Sequence, residues 1–185
     1  MPTAALLIID VQKAILDIPS MSRRAETQAA LDGCVGRIAK LIAEARRRGI
    51  PVLYVQHGGD AGHRLERGSA GWQIRPEVAP LRDEPVIHKT ACDSFFQTTL
   101  QAELEARNVD TLIVAGCMTQ YCVDTSARRA VSLGYDVKLA GDGHMTADSG
   151  DLTFEQIIAH HNDLLDGFDA GSHTVRVVPI DRILP

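Results

Sequence analysis

The sequence predicts a three-layer α/β/α fold around a six-stranded parallel sheet, in a single domain over residues 1–185. Three observations predict it. Short apolar runs rich in branched residues recur along the chain without polar alternation, as strands covered on both faces require. Segments with apolar residues at helical spacing lie between those runs. Glycines and capping residues mark the junctions. A chain of 185 residues is long enough for a full-sized core.

The elements follow in order. Residues 4–9 are strand one, and residues 25–48 are a long helix with Leu31, Val35, Ile38, Leu41, Ile42 and Ala45 at helical spacing, closed by Gly49. Residues 51–56 are strand two. Residues 57–84 form a long polar loop carrying Gly58, Gly59, Gly62, Gly68 and Gly71. Loops of this length are often functional, so this one is expected to help form a site. Residues 86–88 are strand three, 98–107 a helix and 111–115 strand four, which Gly116 ends. Thr119 is placed as the N-cap of a helix over 119–133, closed by Gly134. Residues 135–140 are strand five, and 174–178 are strand six. Between them a helix over 153–165 opens with Thr153-Phe-Glu-Gln156, a capping-box pattern. The alternation makes the sheet parallel and covers both of its faces.

Composition narrows the function classes. Apolar residues make up 45% and charged residues 23%, ordinary for a soluble globular protein. Aromatics are only 4%, so the core is mainly Leu, Ile, Val and Ala. The net charge of −5 gives no basic footprint for nucleic acid. The cluster Arg46-Arg47-Arg48 falls at a helix end, where it complements the dipole. No apolar stretch approaches a membrane span, and the run 4–9 lacks a basic leader and stops at Asp10, so it reads as a strand. Four cysteines without a tight spacing pattern do not suggest a disulfide scaffold, and a reducing cytoplasm is the expected compartment.

The chemistry gathers at one sheet edge. In an open α/β sheet, ligands bind beyond the carboxyl ends of the strands. Asp10 follows strand one, Lys89 follows strand three, and Cys122 falls in the first turn of the helix after strand four. The first N–H groups of a helix lack internal partners and the dipole there favours negative charge. A thiol in that position is expected to have a lowered pKa and to act as a nucleophile, with the same N–H groups available to an oxyanion. Singly, Asp10 reads as a solvated strand end and Lys89 as a surface charge. Together the carboxylate, cation and thiol are what attack on a carbonyl needs. Trp72, in the long loop, reads as a lid over a ligand or as a cover on an apolar patch; Phe95, Phe96 and Tyr121 read as pocket or core. Cys117 is expected beside the pocket, Cys34 in the core, and Cys92 either facing the site or packing. His160 and His161 have no carboxylate partner in helical register and read as structural or interface residues.

Ile8-Ile-Asp-Val-Gln12, His88-Lys-Thr-Ala-Cys-Asp-Ser-Phe-Phe96 and Ala115-Gly-Cys-Met-Thr-Gln-Tyr-Cys-Val123, in that order, resemble the isochorismatase-like cysteine hydrolase family. The segment 124–130 and Gly134-Tyr-Asp-Val137 extend the likeness, which runs over residues 4–178. The resemblance implies a Rossmann-like sheet of order 3-2-1-4-5-6 and a triad of Asp10, Lys89 and Cys122. It also implies a non-proline cis peptide between Cys117 and Met118, and an oxyanion hole made by the N–H groups of Met118 and Cys122. In the implied reaction Asp10 accepts the thiol proton, Lys89 stabilises the charged pair and Cys122 attacks an amide carbonyl. Asp10 then protonates the leaving amine, and water cleaves the thioester. Trp72, Phe96, Cys117 and Tyr121 are the candidates to hold the small-molecule amide. Isochorismatases proper cleave a vinyl ether and lack the cysteine, so Cys122 directs the expectation to C–N hydrolysis. Nicotinamidases carry an Asp-x-His and a second His as metal ligands after strand two. Here Gln56-His-Gly-Gly-Asp60, with His63 beyond, lacks that spacing, so no metal and no other cofactor is expected.

The family forms oligomers, and Phe154, Ile157, Ile158, Leu164 and Leu165 occupy more than one face of the last helix, so a homodimer or larger even homo-oligomer is expected. Two rivals come from other classes. One is a small-anion or phosphate-binding module at residues 116–119, although no Gly-rich dinucleotide fingerprint or phosphate-loop lysine is present. The other is a redox-sensing thiol protein with Cys117 as the resolving partner of Cys122. The hydrolase reading makes one geometric demand. Strand three lies two places from strand one, roughly 10 Å at the usual spacing, so Lys89 must reach inward along the sheet edge.

Overall fold

β1 (Ala4–Ile9) is apolar at every position and buried from Ala5 onward, so neither of its faces meets water. Successive side chains of a strand point to opposite sides. Leu6 and Ile8 therefore enter one apolar cluster, and Ala5, Leu7 and Ile9 enter another. This division sets the layers. α1 (Arg24–Arg47) closes the first side with Leu31, Cys34, Val35, Ile38, Leu41, Ile42 and Ala45. α2 (Leu100–Glu105) and α3 (Asp124–Ser132) close the second through Leu100, Leu104, Ala127, Ala130 and Val131. The computed structural model describes residues 3–19 and 21–184.

The remaining strands are β2 (Val52–His57), β3 (Val86–Lys89), β4 (Thr111–Cys117), β5 (Asp136–Met145), β6 (Asp169–Ala170) and β7 (His173–Val178). Their order across the sheet is β3-β2-β1-β4-β5-β7-β6. Every pair is parallel except β6 with β7. The sheet thus has seven strands where the sequence suggested six. The extra one is two residues long, formed where the chain doubles back through Gly171 at φ +68°, and no apolar run announces it. β5 also runs past Ala140, where its apolar run stops. A register shift opposite residues 114–116 of β4 is followed by renewed pairing of Gly116 with His144 and of Cys117 with Met145.

α4 (Phe154–Leu165) starts at the expected capping box: Gln156 N–H donates to Thr153 Oγ1 at 3.3 Å, and Thr153 N–H donates to Gln156 Oε1 at 2.9 Å. Phe154, Ile157 and Leu165 are buried and Ile158 packs on the core, which leaves only Leu164 of that apolar set exposed. The helix serves this chain's own core more than its composition suggested. α5 (Ile180–Ile183) packs Ile183 onto the α1 side. Among the described residues no helix is long and apolar enough to cross a membrane.

The long loop after β2 is fastened to the segment after β1. Lys13 N–H and Ala14 N–H donate to the carbonyls of Gln73 and Gly71, and Arg75 N–H donates to that of Val11. Two buried glutamines complete the fastening. Gln12 exchanges hydrogen bonds with the backbone N–H and C=O of His57 at 3.0 and 2.9 Å. Gln12 and Gln56 both donate to the Trp72 carbonyl, at 2.7 and 2.9 Å.

Candidate active site

Asp10 is the first residue beyond β1. Its N–H still donates to Val55 at 2.9 Å, and its own carbonyl takes the Gln12 N–H at 2.8 Å, closing a tight turn. Asp10 itself has φ +52°, in the left-handed region that Asp tolerates better than most residues. Its side chain is fully buried. Lys89 is the last residue of β3, and its side chain is also fully buried. Its Nζ lies 2.7 Å from Asp10 Oδ2 and 3.0 Å from Cys122 Sγ, and donates to the Ala91 carbonyl at 2.9 Å. The inward reach demanded of Lys89 is therefore made. β2, which lies between, gives way to Gly58 and Gly59, which present no side chain at this edge, and Gly58 N–H is tied to the Lys89 carbonyl at 2.8 Å.

Cys122 is delivered by the turn after β4. Gly116 has φ +135°, and a Cβ there would sit 2.0 Å from the Ile9 carbonyl oxygen, so only glycine fits between β4 and β1. The Cys117–Met118 peptide bond is cis. Residues Thr119–Val123 then form a wide helical turn, in which Val123 N–H reaches back five residues to the Met118 carbonyl at 3.2 Å, before α3 begins. Thr119 is not the helix cap. Met118 holds that position without a side-chain cap, and the Thr119 hydroxyl is taken by His144, with 2.9 Å from Oγ1 to Nδ1. His144 Nε2 lies 2.8 Å from Asn162 Oδ1, and Asn162 Nδ2 donates to the Gly141 carbonyl at 2.9 Å. With the amide N–H so engaged, the Asn162 oxygen accepts from Nε2, and Nδ1 accepts from Thr119. Burial pushes the His144 pKa down to about 4, against the opposing Asn162 hydrogen bond, so the ring is neutral near pH 7. A buried chain of four groups thus braces the turn from β5 and α4.

The electrostatics correct one expectation. The Cys122 thiol is raised, not lowered: burial disfavours the thiolate, the adjacent Asp10 carboxylate adds to the effect, and Lys89 opposes it. The turn bearing Cys122 is wide rather than a regular α-helical first turn, and tertiary neighbours outweigh the backbone dipole. Burial alone would lower the Lys89 pKa, but Asp10 and Cys122 outweigh it and hold the ammonium charged. Neither Asp10 oxygen makes a well-angled hydrogen bond. The carboxylate is held by the ion pair at 2.7 Å and remains open to take a proton. At rest Cys122 is a thiol and Lys89 an ammonium.

A cavity of about 130 Å³ opens onto Asp10 and Cys122, and is lined also by Met118 and Tyr121 and by His57, Arg64 and Leu65 from the long loop. Residues 4–162 match the Isochorismatase domain. The chain belongs to the isochorismatase family. It is 35% identical to the uncharacterized isochorismatase family protein YddQ of Bacillus subtilis (strain 168), over 78% of each chain. It is 36% identical to a streptothricin hydrolase of Streptomyces noursei, over 78% of this chain and 50% of that protein. It is 29% identical to the ureidoacrylate amidohydrolase RutB of Variovorax paradoxus (strain S110), over 71% of this chain and 64% of that protein. Among solved structures, an isochorismatase from Pseudomonas putida KT2440 superposes with a TM-score of 0.85 at 30% identity, covering 98% of this chain and 90% of that one.

In this isochorismatase-family hydrolase, Asp10, Lys89 and Cys122 come together as expected, and Tyr121 lines the cavity. Other expected binding residues stand elsewhere. Trp72 turns its ring against His88, with centroids 5.6 Å apart, while the two glutamines hold its backbone carbonyl. Phe96 is 54% exposed and does not line the cavity. Cys117 is buried in the α1-side cluster, whereas Cys122 belongs to the opposite cluster, so the sheet places the two thiols in different layers. That placement removes Cys117 as a resolving partner. Phe95 is core, stacked on Tyr135. Cys92 and His57 do line the cavity. Sequence reasoning missed Arg64, and it missed His144 and Asn162 behind the turn. The one sequence signal for Arg64 was its place in the glycine-rich loop.

Proposed function

We propose that this hydrolase cleaves the C–N bond of a small amide or carbamoyl compound through a thioester on Cys122. The observation that carries the proposal is Lys89 Nζ standing 3.0 Å from Cys122 Sγ and 2.7 Å from Asp10 Oδ2, with Asp10 and Cys122 lining one small cavity. Asp10 takes the Sγ–H proton as the sulfur attacks the carbonyl carbon. The N–H groups of Met118 and Cys122 receive the developing oxyanion, and Lys89 offsets the negative charge. The C–N bond breaks, and the proton held by Asp10 passes to the departing nitrogen. Water then attacks the thioester, Asp10 accepts its proton, and the proton returns to Sγ as the acid leaves. The names of two relatives, a streptothricin hydrolase and a ureidoacrylate amidohydrolase, agree with C–N cleavage.

The test is ammonia release from a panel of small amides. Cys122→Ala should reduce it to less than about one per cent, since loss of a nucleophile removes most of the rate, while the wild-type enzyme quenched in turnover should carry the acyl mass on the peptide containing Cys122. Activity in Cys122→Ala, or an acyl group on another residue, overturns the proposal. Among the described residues no group of three or more His, Cys, Asp or Glu side chains is arranged to hold a metal ion. Activity should survive treatment with a chelator; loss restored by zinc, iron or manganese would replace this mechanism.

A further inference from the structure

The helix that carries Cys122 has two available starts, one residue apart. Thr119 has the chemistry of an N-cap, whose hydroxyl accepts from an N–H two or three residues on. From Thr119 those are the N–H groups of Tyr121 and Cys122. The structure uses the other start. Met118 holds the cap position with extended backbone, at φ −95° and ψ 148°, and without a side-chain cap. The N–H groups of Tyr121 and Val123 both turn back to the Met118 carbonyl, at 3.1 and 3.2 Å, whereas the Cys122 N–H between them makes no bond to it. What selects this start lies behind the turn. Thr119 and His144 are both buried, with 2.9 Å from Oγ1 to Nδ1. His144 Nε2 lies 2.8 Å from Asn162 Oδ1, and Asn162 Nδ2 is spent on the Gly141 carbonyl. The direction of the chain is therefore fixed, and the Thr119 hydroxyl is committed as a donor to β5. No step of the proposed reaction uses His144 or Asn162.

We propose that His144, held by Asn162, is a positioning residue: by taking the Thr119 hydroxyl it keeps the Cys122 N–H available to the oxyanion. This rests on the C–N hydrolase reading. Without its acceptor the Thr119 hydroxyl is buried and unpaired, which is costly. A relaxed start with Thr119 as the cap satisfies it. The Tyr121 N–H is already engaged, so the donor that the relaxed cap consumes is that of Cys122. The oxyanion hole then loses one of its two donors in every molecule that relaxes. The carbonyl of a bound amide carries little charge, and the tetrahedral intermediate carries a full one. The loss therefore falls on kcat and spares KM. Neither His144 nor Asn162 touches the substrate in this role.

His144→Leu removes the acceptor and keeps the place apolar. On the best amide of the panel its kcat should fall about tenfold, a part of the hundredfold or more that outright loss of an oxyanion donor brings, with KM within about threefold. Adding Thr119→Val should raise kcat about threefold or more above His144→Leu, because the hydroxyl that captures the N–H is gone and matched apolar groups replace the buried pair. A merely structural role gives the opposite, a further loss. Asn162→Ala, at a half-buried place on α4, should shift kcat the same way to a lesser degree and serves if His144→Leu does not fold. Amide hydrogen exchange at Cys122, followed by NMR, tests the hold without any substrate. Exchange should be about fivefold slower in His144→Leu than in wild type, the scale of one capping bond, and should return toward wild type in the double variant. A protein that simply loosens exchanges faster. A kcat within about twofold of wild type, a double variant no faster than the single, or Cys122 exchange that is unchanged or faster overturns the proposal. The two readings fail separately. Slowed exchange in a protein that releases ammonia from no amide sinks the hydrolase and leaves the hold on Thr119. Turnover through Cys122 with unaltered exchange sinks the positioning role and leaves the hydrolase.

Discussion

Lys89→Met is the most informative single perturbation, because it removes a charge and almost no volume from a place that water does not reach. Both side chains of the ion pair are fully buried, and Asp10 has no other well-angled hydrogen bond to fall back on. The variant strands a carboxylate. Breaking a buried pair in this way costs about 3–5 kcal/mol, much of it the desolvation of the abandoned charge. The Ala91 carbonyl also loses its donor at 2.9 Å, worth about 1 kcal/mol. The expected loss is therefore about 4–6 kcal/mol, a large share of the stability of an ordinary domain, about 5–15 kcal/mol. At about 2–4 °C per kcal/mol for a chain of this size, the melting temperature should fall by about 8–24 °C. Asp10→Asn with Lys89→Met should recover at least half of the loss, since neither charge is left alone, while ammonia release stays abolished. Urea unfolding with the slope checked for constancy measures all three variants. If Lys89→Met lies within about 1 kcal/mol of wild type, or the double variant is no more stable than the single, the ion pair does not act as described.

Because the thiol pKa is raised, iodoacetamide at pH 7 should modify exposed Cys92 well before Cys122, and Cys122 labelling should climb as the pH rises above 9; rapid labelling of Cys122 at neutral pH would contradict the thiol form at rest. His144 is neutral in the fold down to about pH 4 but takes a proton near pH 6.5 when unfolded. The unfolded state therefore binds more protons as the pH falls through that window, and stability should drop by up to about 3 kcal/mol between pH 6.5 and 4. His144→Gln should show a smaller drop in the same urea series, and equal slopes would refute the assignment. The chain should assemble as a homodimer or a larger even oligomer, with Phe96 and Tyr121, 54% and 47% exposed, as apolar material for an interface; light scattering at micromolar concentration giving a mass near 20 kDa would exclude it.

The features legible in the sequence were those carried by local pattern. β1, β2 and β4 are apolar runs that admit no other placement, and Thr153 with Gln156 forms a capping box from contacts three residues apart. The grouping of Asp10, Lys89 and Cys122 was legible because strand ends define one edge, and the chain places all three just there. What escaped was decided by distant partners. Thr119 has the chemistry of a cap, yet His144, twenty-five residues on, claims its hydroxyl. The thiol's direction of shift depends on Asp10 and on burial, neither of which the helix start reveals. Trp72 and Phe96 were singled out by residue type, whereas the path of the long loop decides what meets the cavity, and that path is set by Gln12 and Gln56.

Those two glutamines separate the trio at the sheet edge from the shape of the chamber above it. Their amides grip only backbone, at His57 and Trp72, and so are indifferent to the side chains in between. Within the intervening span, Leu65 is anchored in the α1-side core, and the exposed positions around it are the exchangeable part. Substitutions at those exposed positions that keep Leu65 should leave the trio of Asp10, Lys89 and Cys122 seated, and new selectivities can be sought there.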